Sequence, residues 1–174
     1  VIEDAIVGCA IPEAQQGLNV GRIGVLLADL PDTVGGVTVN RFCASGLTAI
    51  AMAADRIRVG EADAMIAAGV ESMSLVPMMG NTPSINPAVF ANDAHIGIAY
   101  GMGLTAEKVA QQWKIPRDAQ DAFAVASHAK ALAAQQAGEF ADEIAPYDAI
   151  LREPDLAGGE PRVSTRTIAL DEGP

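Results

Sequence analysis

Val37-Thr38-Val39-Asn40-Arg41-Phe42-Cys43-Ala44-Ser45-Gly46-Leu47 joins an apolar run to a helical pattern, with a cysteine at the join. Val37 to Phe42 reads as a β-strand. The helix after Cys43 carries Leu47, Ile50, Ala54 and Ile57 on one face, and Gly60 ends it. Working outward, Asp4 to Ala10 reads as a short buried strand (Ala5, Ile6, Val7) ended by Pro12. Asn19 caps a helix with Ile23, Leu26, Leu27 and Leu30 at helical spacing, which Pro31 stops. Gly35-Gly36 is a turn. Asp63 to Val70 is a near-continuous apolar run, the pattern of a strand covered on both faces. Strand, helix, strand, helix, strand predicts an α/β fold with a parallel sheet and helices on both sides. Reactive positions in such folds lie at the carboxyl ends of strands, where Cys43 falls. A thiol beside a helix N-terminus meets free N–H groups and the positive end of the macrodipole, which favour its nucleophilic thiolate form.

Composition narrows the function. The chain has 174 residues, is 50% hydrophobic and 19% charged, and should therefore bury a core. Aromatics are only 4%, so the core is expected to be Ala, Val, Ile, Leu and Met, with helices packed closely through Ala and Gly. A formal net charge of −11 argues against nucleic acid and anionic membrane as main partners. No apolar run reaches the roughly 18 residues of a membrane span. The start, Val1-Ile2-Glu3-Asp4, has no basic segment followed by an apolar one, so no secretory signal is read there. It also lacks a methionine, and both ends read as cut. Cys9 and Cys43 make no disulfide framework, which suits a reducing, cytoplasmic setting.

From Met73 the character changes. Val76 to His95 holds three prolines (Pro77, Pro83, Pro87) and no clear period, an irregular excursion of the kind that carries function. A helix is expected from about Thr105, as N-cap, to Trp113. A longer one is expected over Arg117 to Gln136, closed by Gly138. Short strands are expected at Tyr147 to Leu151 and Thr167 to Leu170. The chain thus divides into a sheet-based domain, residues 1–73, and a loop-and-helix domain, residues 74–174, that reads as an insertion.

Several stretches together resemble the thiolase family. Gly8-Cys9-Ala10-Ile11-Pro12-Glu13-Ala14-Gln15-Gln16-Gly17-Leu18-Asn19-Val20 is similar to its early loop. Val39-Asn40-Arg41-Phe42-Cys43-Ala44-Ser45-Gly46 is similar to its acyl-enzyme signature, and Ala68-Gly69-Val70-Glu71-Ser72-Met73-Ser74 to the strand end that follows. Met102-Gly103-Leu104-Thr105-Ala106-Glu107, Gln120-Asp121-Ala122-Phe123-Ala124 and Gly138-Glu139-Phe140-Ala141-Asp142-Glu143-Ile144 resemble its loop domain. The resemblance covers nearly all the chain. It implies a three-layer α-β-α sandwich with an inserted loop domain, present here as a partial N-terminal half, and a homodimer or tetramer. It implies an acyltransferase of fatty acid metabolism and β-oxidation that cleaves 3-ketoacyl-CoA or runs the reverse condensation. Acyl-CoA and CoA would be substrates, with no separate cofactor.

The resemblance makes Cys43 the catalytic nucleophile that carries the acyl group, its backbone N–H donating to an oxyanion. Met102 matches the methionine that lines the family's acyl pocket. Family members that make acetoacetyl-CoA commonly place histidine just before it; Gly101 stands here, which implies room for longer acyl chains. The family's Gly-His-Pro motif, Asn-Glu-Ala-Phe motif and second catalytic cysteine do not occur in these residues, so the chain alone is expected to be catalytically incomplete. A non-catalytic fragment that dimerises or binds is the alternative. A ketoacyl synthase is disfavoured, since those sequences usually read Ala-Cys-Ser-Ser where Phe-Cys-Ala-Ser stands. A cysteine hydrolase would need His95 or His128 beside Cys43. Cys9, with no activating neighbour, reads as structural. His128 reads as a surface or packing residue of a helix, and neither histidine matches the family's catalytic one. Asn40 and Arg41 read as shaping the turn around Cys43. Glu71, at a strand end, either orients active-site backbone or sits in a buried hydrogen-bond network. No Cys/His cluster has zinc spacing.

Overall fold

A computed structural model describes residues 1–171 and 173. The chain forms two compact units, Val1–Ala91 and Asn92–Pro174.

In the first unit, β1 (Asp4–Gly8), β2 (Val37–Val39) and β3 (Met65–Gly69) form a parallel sheet in the order β2-β1-β3. Its helices are α1 (Val20–Leu27) and α2 (Ser45–Arg58). Successive residues of a strand face opposite sides of its sheet, and β1 uses this to serve two cores. Ala5 packs with Val25 of α1 and with Val34, while Ile6 packs with Ala49 and Ala53 of α2. The result is the expected three-layer α-β-α arrangement.

Small residues set the spacing of the layers. A Cβ on Gly21 of α1 would lie 2.5 Å from the Val37 carbonyl oxygen, so only glycine lets that helix approach β2 this closely. On α2 the face toward the sheet is Ser45, Ala49 and Ala53, all buried. The expected face of Leu47, Ile50, Ala54 and Ile57 is corrected here: Leu47 is 71% exposed and Ile50 56%. Counting large apolar residues located a stripe, but Ala and Ser allow the closer approach to the strands, so the Ala stripe took the sheet. The same holds on α1, where Gly21 and Val25 are buried while Ile23, Leu26 and Leu27 are exposed. Among the described residues the buried hydrophobic ones include no Leu and no Met.

Two strand assignments also change. The strand before Cys43 ends at Val39, because Asn40 to Ala44 form a turn. The apolar run Asp63 to Val70 yields β3 over five residues, and Ala67, Ala68 and Gly69 are exposed rather than covered on both faces. Among the described residues β3 is an edge strand, paired with β1 alone. The helix ends follow the expected chemistry. The Asn19 side chain accepts from the Arg22 N–H, and Gly60 closes α2 at φ +77°.

In the second unit, α3 (Met102–Trp113) and α4 (Arg117–Ala137) are followed by an antiparallel hairpin of β4 (Tyr147–Glu153) and β5 (Arg162–Ile168). The N-cap of α3 is Gly101, not Thr105, which lies one turn inside with its hydroxyl directed to the Gly101 carbonyl. β5 begins earlier than the expected Thr167, because Arg162-Val163-Ser164-Thr165-Arg166 is too polar to read as a strand yet pairs in register with β4. Gly138 closes α4 in the left-handed conformation at φ +74°, as expected. The irregular stretch folds into short 3₁₀ segments: Pro87–Ala91 closes the first unit, and Asp93–Ala99 precedes α3 in the second. No helix among the described residues is long and apolar enough to cross a membrane.

Candidate active site

Cys43 is exposed, and Cys9 is buried at 1%. The contrast follows from where each sits. Cys43 lies one residue ahead of Ala44, the N-cap of α2, on a turn that two side chains of its own motif hold. The Asn40 side-chain oxygen accepts from the Phe42 N–H (2.8 Å). The Ser45 hydroxyl accepts from the Arg41 N–H (2.9 Å) and donates to the Phe42 carbonyl (2.6 Å). Backbone bonds from Ala44 to the Arg41 carbonyl and from Ser45 to the Phe42 carbonyl complete the turn. Phe42 itself sits at φ +47°, a left-handed conformation that costs a non-glycine residue about 1–3 kcal/mol and needs the surroundings to hold it. Ser45, 4% exposed, is that hold. The side chain of Ala44 makes no cap, so nothing of that residue covers the positive end of α2.

The turn rests on β1. A Cβ on Gly8 would lie 2.5 Å from the Ser45 carbonyl carbon and 2.6 Å from the Gly46 nitrogen, so α2 begins in direct contact with the carboxyl end of the central strand. Cys9, next along, donates its N–H to the Val39 carbonyl (3.0 Å). Burial pushes its thiol up from the ordinary range, and the nearby Glu71 carboxylate adds to the shift. It is thus held as a neutral thiol, in keeping with a structural role.

Glu71 belongs to a hydrogen-bond network at the ends of β1 and β3. Its carboxylate accepts from the Ala10 N–H (2.6 Å) and from the Gln16 side-chain amide (2.7 Å). Gln16, only 3% exposed, also donates to the Ile11 carbonyl (2.9 Å) and accepts from the Ser72 N–H. Gly8, Ser45 and Gln16 were the positions whose roles sequence reasoning missed. The spacing of Asn40 and Ser45 around the cysteine was a readable signal of a side-chain-closed turn. Gln16 had none, since a glutamine among loop residues reads as surface.

Met102, the other expected site residue, is the first residue of α3 and is 62% exposed in the second unit. His95 lies in the 3₁₀ segment Asp93–Ala99 and His128 within α4; both are exposed, and both belong to the second unit. No group of three or more metal-ligating side chains comes together among the described residues.

The chain matches the family model described as thiolase, N-terminal domain, over residues 1–168. It is 49% identical over 152 residues to a 3-ketoacyl-CoA thiolase of Bacillus subtilis (strain 168), an alignment covering 87% of this chain and 38% of that protein. It is 43% identical over 188 residues to a beta-ketoadipyl-CoA thiolase of Acinetobacter baylyi, covering 99% of this chain and 44% of that protein. A probable acetyl-CoA acyltransferase of Staphylococcus aureus (strain COL) is 40% identical over 182 residues, covering 99% and 44% respectively. The chain spans less than half the length of these relatives.

Proposed function

Because the chain belongs to the thiolase family, matching its N-terminal domain, we propose that it provides the acyl-carrying half of a 3-ketoacyl-CoA thiolase, an acetyl-CoA C-acyltransferase. The observation that carries this is Cys43: a thiol open to solvent beside the N-terminus of α2, on a turn held by its own motif. In the proposed reaction the Cys43 thiolate attacks the keto carbon of a 3-ketoacyl-CoA, and the carbonyl electrons move onto oxygen. The Cys43 N–H supports that oxyanion. Collapse breaks the bond between the α-carbon and the keto carbon. The electron pair stays on the departing acetyl-CoA carbon, which takes up a proton. A second CoA then loses its thiol proton, attacks the acyl-cysteine and releases the Cys43 thiolate. Both proton transfers are assigned to groups outside these residues. The chain's histidines lie in the second unit and match no catalytic position of the family. On this reading the chain alone does not turn over.

Met102 is proposed to line the acyl pocket. Gly101 before it supports a preference for longer or more varied acyl chains, since a Cβ there would meet nothing within 4 Å. A homodimer or tetramer in the cytoplasm, acting in fatty acid β-oxidation, completes the proposal. The test is peptide mass mapping after the chain, combined with the remainder of a thiolase that supplies the proton-transfer groups, is incubated with a 3-ketoacyl-CoA in the absence of free CoA. An acyl adduct on the Cys43 peptide is expected; an adduct only on Cys9, or none, overturns the assignment. A second reading, a fragment that only dimerises or binds, draws support from the exposed Leu47 and Ile50 of α2. It predicts stable association with the remainder of a thiolase and no adduct.

A further inference from the structure

The Glu71–Gln16 pair is more than packing, because of what it holds. It joins two segments distant in sequence: the stretch after β1 that holds Ala10, Ile11 and Gln16, and the stretch after β3 that holds Glu71 and Ser72. A buried amide with both ends engaged has no freedom to re-pair, so the segment Cys9–Ile11 is fixed at the height these bonds set. On its other side the same segment is tied to β2 through the Cys9 N–H and the Val39 carbonyl (3.0 Å), immediately before Asn40 opens the turn. The Gly8 carbonyl accepts from Val70 (2.9 Å), one residue before Glu71. Gly8 is therefore clamped on both sides. It is also the residue against which Ser45 and Gly46 sit with no room for a methyl group. Any shift of Gly8 presses on Ser45, whose hydroxyl holds Phe42 in its left-handed conformation and so aims Cys43.

We infer that Glu71, acting through Gln16 and the backbone of Gly8–Ala10, is a positioning residue for the Cys43 nucleophile. The inference rests on the reading of Cys43 as the acyl carrier, although its own readout needs no acyl transfer. Glu71→Gln keeps the shape but places an amide among three donors, the Ala10 N–H, the Gln16 amide and the Cys9 thiol. Glu71→Asp keeps the charge on a shorter arm.

The experiment measures alkylation of Cys43 by iodoacetamide across pH 6–10, located by peptide mass, in wild type, Glu71→Gln, Gln16→Ala and Glu71→Asp. The rates are repeated in urea. In the native proteins Glu71→Gln and Gln16→Ala are expected to react about tenfold more slowly at neutral pH. Glu71→Asp should recover part of the difference, and all four should react alike in urea. A merely structural role lowers the melting temperature and leaves the native-state alkylation rate of Cys43 at the wild-type value; that result overturns the inference. If Glu71→Gln does not fold, the comparison of Glu71→Asp and Gln16→Ala with wild type decides it by the same criterion. Wild type that forms no acyl adduct at Cys43, yet shows the alkylation differences, removes the thiolase reading and leaves the positioning role standing.

Discussion

Gly8→Ala tests the seat of the proposed nucleophile, Cys43, most directly. The added methyl carbon would lie 2.5 Å from the Ser45 carbonyl carbon, 2.6 Å from the Gly46 nitrogen and 2.8 Å from the Ser45 oxygen. All three are backbone atoms, so no side-chain rotation relieves the overlap. Restoring an ordinary contact of 3.4 Å from 2.5 Å requires α2 to lift off β1 by 0.9 Å at its first turn. Overpacking of this kind costs about 1–3 kcal/mol, read as a fall in melting temperature of roughly 2–4 °C per kcal/mol. The functional cost is the larger one, because the lifted residue is Ser45 and the turn it holds carries Cys43. A misplacement near 1 Å lowers catalysis by about 10²-fold, so on the proposed function acyl transfer to Cys43, measured with the remainder of a thiolase present, should fall by that factor. The matched control is Gly24→Ala within α1, where a Cβ meets nothing within 4 Å. It should raise the melting temperature slightly, through the better helix propensity of alanine. Gly8→Ala with wild-type melting and wild-type acyl transfer would refute the argument that α2 is seated on β1 through this contact.

Ser45→Ala removes the buried hydroxyl that accepts from the Arg41 N–H and donates to the Phe42 carbonyl. Chemical denaturation should show a loss of about 1–3 kcal/mol, and Cys43 alkylation should slow with it. On α2, Leu47→Ala and Ile50→Ala should each change this chain's stability by less than about 0.5 kcal/mol, whereas Ala49→Leu should lose about 1–3 kcal/mol; urea titration separates the two faces. Cys9 gives a pH dependence on the alkaline side. Its folded-state pKa is raised, by burial first, so its contribution is fully present below the unfolded thiol's pKa and is lost as pH rises from there through the folded value. Melting curves through the alkaline range should steepen downward in wild type, and this component should be missing in Cys9→Ala.

The order of elements was legible because periodicity and punctuation agreed. The β1 residues Ala5, Ile6 and Val7, the Asn19 cap, and Gly60 and Gly138 at helix ends all fell where their chemistry requires. The position of Cys43 at a strand-to-helix join was legible for the same reason. What was not legible is which face of a two-faced helix meets the sheet. Leu47, Ile50 and Ile57 outweigh Ala49 and Ala53 on any hydrophobicity count, yet spacing between layers is set by the smallest side chains, and those are on the other stripe. The Glu71–Gln16 pair was half legible. Glu71 at a strand end drew attention, but its partner lies 55 residues earlier in the sequence, and no local pattern marks a contact of that range.

The site therefore separates two demands that conflict in one residue. A nucleophile needs access, and Cys43, the nucleophile proposed here, is exposed; a precise nucleophile also needs rigidity. The motif resolves this by placing the rigidity in neighbours. Ser45 is buried and fixes the turn from below, Asn40 fixes it from the strand side, and Gly8 supplies the floor. The left-handed Phe42 is the observable consequence. The turn keeps a conformation that the isolated peptide would abandon, so the aim of the thiol is coupled to the integrity of the β1–α2 contact. A peptide spanning Val37 to Arg58, cut from the sheet, should lose both the positive φ at Phe42 and any enhanced reactivity of Cys43 over free cysteine. Scalar couplings at Phe42 and alkylation rates would show this. A peptide that keeps the enhanced rate would place the activation in the helix terminus alone and leave β1 no part in it.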